Sequence, residues 1–109
     1  MNNKKKDFND FKESTTDSTI LEQISALAKK IELDFPGAMT TLECFSSGAA
    51  MLDIYLNDKL FVMAYFPAHG FGIDEVGEED GFNTGYKFNT QNFYVAKVKL
   101  NQLIKSALT

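Results

Sequence analysis

Residues Leu60 to Phe66 read Leu-Phe-Val-Met-Ala-Tyr-Phe, an apolar run too short for a core helix and flanked by turn residues on both sides. Such a run predicts a central strand covered on both faces. A central strand needs neighbours, and the flanking sequence supplies them. Thr40 to Phe45 alternates, with Thr41, Glu43 and Phe45 on one side and Thr40, Leu42 and Cys44 on the other. Ala50 to Leu56 alternates again, placing Leu52, Ile54 and Leu56 on one face and Met51, Asp53 and Tyr55 on the other. Ser46-Ser47-Gly48, Asn57-Asp58 and Pro67-Ala68-His69-Gly70 separate these segments as turns. Phe71 to Val76 is a shorter strand in which Gly72 marks a bulge or a close backbone approach. Tyr86-Lys87-Phe88 is a fifth short strand candidate.

Outside this block the period changes to that of a helix. Ile20, Ile24, Leu27 and Ile31 recur at steps of three and four, predicting a helix from about 18 to 33. Thr19 and Glu22 fit a capping box at its start, and Phe35-Pro36-Gly37 ends it. Phe93, Ala96, Leu100, Leu103, Ile104 and Ala107 trace one face of a second helix from about 91 to 107, with Thr90 or Asn92 as cap. Helices at the ends and strands between them indicate an α+β fold. The expected architecture is an N-terminal helix, a four- to five-stranded antiparallel meander sheet, and a C-terminal helix packed on the sheet. Residues 17–109 then form a single domain, preceded by a polar, flexible tail over residues 1–16. In that tail, Phe8 and Phe11 are the only large apolar groups after Met1.

Composition narrows the function classes. The chain has 109 residues, enough for one domain, and its only cysteine is Cys44, so no intrachain disulfide can form. A reducing compartment follows, and no apolar run suits a signal peptide or a membrane span, so the expected location is the cytoplasm. All 11 basic residues are Lys, against 15 acids, for a formal charge of -4. A net acid without Arg lacks the basic footprint of a nucleic-acid binder.

The candidates for chemistry are few. His69 sits in a turn and Cys44 in a strand, where a cysteine is usually an inert small hydrophobe. One His and one Cys cannot furnish an ordinary zinc site, and Asp74 begins no valid calcium-loop count. No phosphate-cradling glycine motif is present. The expectation is a non-enzyme with no cofactor and no metal.

The most distinctive segment is acidic: Asp74, Glu75, Glu78, Glu79 and Asp80 fall within seven residues without an intervening Lys. A patch of this kind steers a basic partner by long-range attraction. Phe82 and Tyr86 lie just beyond it and could supply the anchors that charge alone lacks.

The chain resembles the immunity proteins of bacterial polymorphic toxin systems, the contact-dependent inhibition and Rhs classes among them. The likeness is carried by Met51-Leu52-Asp53-Ile54, Phe61-Val62-Met63-Ala64-Tyr65, Gly70-Phe71-Gly72-Ile73-Asp74-Glu75, Asp80-Gly81-Phe82 and Gly85-Tyr86-Lys87-Phe88, and runs into the last helix. The resemblance implies binding of one cognate toxin domain, with its active site or substrate access blocked. Toxins of this kind include nucleases, deaminases and ADP-ribosyltransferases. For a target with a basic cleft, the run Asp74 to Asp80 could imitate phosphate, a role inferred from charge. The expected partner surface is therefore Asp74, Glu75, Glu78, Glu79, Asp80, Phe82 and Tyr86, on a protein that is a monomer or weak homodimer when free. Two alternatives stand beside it. One is a self-associating adaptor that pairs through an apolar strand such as Leu60 to Phe66 at a sheet edge. The other is a small ligand-binding protein with Tyr55, Tyr65 and Phe71 around a pocket.

Overall fold

A computed structural model describes residues 17–76 and 86–108. The element order is α1 (Ser18–Asp34), β1 (Met39–Cys44), β2 (Ala50–Leu56), β3 (Lys59–Phe66), β4 (Gly70–Val76), β5 (Phe88–Thr90) and α2 (Phe93–Leu108). The five strands form one antiparallel sheet in sequence order, β1-β2-β3-β4-β5. This is the α+β meander anticipated from the periodicity. The tail over residues 1–16, with Phe8 and Phe11, lies outside the described residues.

The turns explain the order. Asn57 and Asp58 both take positive φ, 54° and 64°, as a two-residue hairpin turn demands. The β1–β2 loop closes with Gly48 N–H donating to the Phe45 carbonyl and Phe45 N–H donating to the Ala49 carbonyl, both at 2.9 Å. The β3–β4 loop closes similarly, with His69 N–H donating to the Phe66 carbonyl at 3.0 Å. Each turn uses a glycine in the left-handed region, Gly48 at 95° as the last residue enclosed by the Phe45–Ala49 bond and Gly70 at 91° as the first residue of β4.

Both helices cover the same face of the sheet. α1 lies over β1 and β2, and α2 over β3, β4 and β5. The core between the layers joins Ile24, Leu27 and Ile31 of α1 to Ala96, Leu100 and Ile104 of α2 through Leu52, Ile54, Phe61, Met63, Phe71 and Ile73. At roughly 1.5–3 kcal/mol for each large apolar side chain buried, this layer is the main driving force for the fold. The β3 run is the middle strand, and it is well covered on both faces at its centre. Phe61 and Met63 face the helices, while Val62 and Ala64, on the opposite face, are also buried.

Several local expectations are corrected. The α1 cap is Asp17, whose Oδ1 accepts from Thr19 N at 2.8 Å and Ile20 N at 3.3 Å. The helix starts at Ser18, so Thr19 already lies inside the first turn and its own amide is one of the two that Asp17 caps, with a charge suited to the helix dipole. Asn92 caps α2, its Oδ1 accepting from Val95 N at 3.0 Å. The last strand is Phe88–Thr90, so Tyr86 and Lys87 precede it. Leu60 to Phe66 is not an edge, which removes the premise of strand pairing through it. Among the described residues, no helix is long and apolar enough to cross a membrane.

Candidate functional site

The sheet face away from the helices carries the side chains that alternate with the core: Met39, Thr41 and Glu43 on β1, Met51, Asp53 and Tyr55 on β2, and Leu60, Val62, Ala64 and Phe66 on β3. On β4 the same parity gives Gly72, Asp74 and Val76. Register aligns these positions into rows. Met39, Tyr55, Leu60 and Val76 form one, and Thr41, Asp53, Val62 and Asp74 the next. The first row is apolar yet open to solvent, with Met39 67%, Tyr55 47% and Val76 43% exposed. The second sets two carboxylates on either side of a buried valine.

Electrostatics on this face are unfavourable by construction. Partial burial pushes the Asp53 carboxyl above its usual range, and the neighbouring Glu43 carboxylate adds to the effect. Tyr86 lies against the same face. A Cβ built on Gly72 would sit 2.7 Å from the Tyr86 ring atoms Cγ and Cδ2, so the ring packs directly on the strand backbone. Its far side meets Phe66, with ring centroids 6.1 Å apart. Burial raises the Tyr86 phenol pKa, and Asp53 and Asp74 raise it further, which holds the hydroxyl neutral.

The structure divides the acidic segment expected to act as one patch. Asp74 and Glu75 belong to β4 and point to opposite faces, as successive strand residues must. Asp74 is on the helix-free face, with Lys87 Nζ 3.8 Å from its Oδ1. Glu75 is on the helix side across from Phe61, with Lys59 Nζ 3.6 Å from its Oε2. Lysines distant in sequence thus stand beside both. Glu78, Glu79, Asp80 and Phe82 lie outside the described residues. Asp53 and Glu43 had not been singled out; their strand parity was legible, but only the register brings them together with Asp74 and Tyr86.

The other candidates do not converge. Cys44 is on the edge strand and His69 in the β3–β4 turn, with β2 between β1 and β3. Tyr65 and Phe71 stack in the core, centroids 5.0 Å apart, and Phe71 meets Phe93 at 5.6 Å. Tyr55 is on the opposite face, so these three aromatics line no common pocket. A groove of about 330 Å³ does run between the helices, lined by Gln23, Ala26, Leu27, Lys30, Phe93, Lys97 and Asn101. The Lys30 ammonium there is held by Asp34 at 2.9 Å. Among the described residues, no three His, Cys, Asp or Glu side chains are grouped to hold a metal ion.

The helix-free face combines exposed apolar side chains with the carboxylates of Glu43, Asp53 and Asp74. No family model, curated protein or solved structure matches the chain.

Proposed function

We propose that this chain is a non-enzymatic immunity protein that binds a cognate toxin domain and blocks its active site or substrate access. The contact surface in this reading is the helix-free sheet face, with Asp74, Tyr86 and Asp53 on it. The observation that carries it is the pairing of Asp53 with Glu43 beside exposed Met39, Tyr55 and Val76. Glu43 and Asp53 are diagonal neighbours across the β1–β2 ladder, and both burial and the Glu43 charge disfavour the ionised Asp53 carboxyl in the free protein. A lysine or arginine from a partner relieves that penalty, while the apolar row supplies area to bury. A basic cleft evolved to hold phosphate offers that complement, which is the link to toxins acting on nucleic acid.

The test is co-expression with the product of the neighbouring toxin gene. A stable complex with loss of toxin activity is expected, and Asp53→Lys combined with Asp74→Lys should weaken it by more than about tenfold. Absence of any complex would overturn the function. Full affinity in the charge-reversed protein would overturn the surface.

A further inference from the structure

The sheet has two margins, β1 and β5, and only one of them offers a ladder of useful length. β5 is three residues long, whereas β1 runs for six. Antiparallel hydrogen bonding alternates along a strand, so every second residue of an edge points its N–H and C=O outward. The phase on β1 is set by the hairpin, where Phe45 N–H donates to Ala49 at 2.9 Å. Glu43, Thr41 and Met39 are in step with Phe45 and bond to β2. Thr40, Leu42 and Cys44 therefore aim their amides away from the sheet.

The first of these amides is occupied. Glu32 of α1 accepts from Thr40 N at 3.1 Å and from Thr40 Oγ1 at 2.6 Å. This carboxylate clasps the start of the edge; among the described residues, none bonds the outward amides of Leu42 and Cys44. The side chains along the same edge alternate in chemistry. Leu42 and Cys44 face the helix layer and pack partly against the core, while Met39, Thr41 and Glu43 face the other way.

We infer that the β1 edge accepts an extended segment of a basic partner protein as a sixth strand, with Leu42 and Cys44 supplying the backbone bonds and Glu43 selecting cationic side chains. The fitting segment alternates, apolar residues toward α1 and lysine or arginine toward Glu43. A second copy of β1 is a poor occupant. Pairing two such strands about Leu42 sets each Glu43 opposite a Thr41 and diagonal to the other Glu43, and Met-Thr-Thr-Leu-Glu-Cys contains no cation to offset the two charges. Only the basic character of the partner is shared with the functional reading above; the surface is the rim and not the face.

The experiment is amide hydrogen exchange by NMR on the full chain with three synthetic hexapeptides at about 1 mM. One alternates Lys and Val, one alternates Glu and Val, and one is the Lys peptide with alternate amides N-methylated. The Lys peptide should slow exchange at Leu42 and Cys44 by at least about tenfold, with the Glu and methylated peptides ineffective. Glu43→Gln, checked for unchanged circular dichroism, should reduce the preference for Lys over Glu several-fold. Equal protection by the Glu peptide, no protection by any peptide, or shifts confined to Asp53, Tyr55 and Asp74 would each overturn the edge assignment. So would self-association of Glu32→Ala in the absence of any peptide effect on the unmodified chain, since the clasp would then only guard the edge. None of these outcomes alters the toxin co-expression result, so the two readings fail separately.

Discussion

Gly72→Ala is the substitution most informative about how the helix-free face is built. Gly72 has no side chain to turn outward, and Tyr86 fills the space where one would be. An added Cβ would lie 2.7 Å from Tyr86 Cγ and Cδ2 and 2.9 Å from its Cβ, well inside van der Waals contact. Overpacking of this degree costs roughly 1–3 kcal/mol. Replacing a strand glycine recovers about 0.5–1 kcal/mol of backbone entropy. A net loss of up to about 2.5 kcal/mol is expected, worth about 4–8 °C in Tm per kcal/mol at this size. The chain has no Trp, so urea unfolding is best followed by far-UV circular dichroism. The decisive measurement is a double-mutant cycle with Tyr86→Gly, which removes all three clashing atoms. In that background Gly72→Ala should be neutral or stabilising, giving a coupling of at least about 1 kcal/mol. An equal cost in both backgrounds would show that the ring does not rest on the strand, and the assignment of Tyr86 to this face would fall with it.

Four further outcomes follow from particular contacts. Because the folded Asp53 carboxyl holds its proton more tightly than the unfolded one, the native state binds more protons between the ordinary value of 3.8 and the raised one. Stability from this group therefore falls as pH rises through that window, and Asp53→Asn should be more stable than the parent at neutral pH but equal to it below the window. Glu43→Gln should lower the Asp53 pKa, read directly by carboxyl NMR titration. Asp17→Ala should cost α1 about 1 kcal/mol while Thr19→Ala costs little, as measured by chemical denaturation. Asp58→Gly places glycine at a φ of 64° and should stabilise the β2–β3 hairpin by up to about 1 kcal/mol in the same assay.

The elements were legible where residue period alone decides them. Ala50–Leu56 was bounded as observed because alternation and the Asn57-Asp58 turn coincide, and α2 followed from its apolar face. The site was less legible, because it depends on which strands lie side by side. Asp74 and Glu75 are adjacent in the chain and read as one patch, but a strand sends neighbours to opposite faces. Asp53 and Asp74 are far apart in sequence yet flank one valine, a relation created by the β2–β3 and β3–β4 registers together. Gly72 did signal a close approach, but its partner, Tyr86, lies beyond a long intervening segment that no short-range rule bridges. The cap is Asp17 and not Thr19 because the helix begins at Ser18, which puts Thr19 inside the first turn with its own amide among those to be capped.

The sequence-ordered meander also has a consequence for how the chain reaches this state. Each of the first three hairpins closes across two or three residues, so their closure entropy is small and their native contacts are local. The sheet can therefore assemble by successive zipping, a low-contact-order route expected to be fast. α1 and α2 come from opposite ends of the described chain and must both land on the same side of a sheet that spans the interval between them. Their mutual contribution to the core is the long-range step. Mutations at Leu27 or Leu100 should then act mainly on the unfolding rate, while changes in the Asn57-Asp58 turn act on the folding rate.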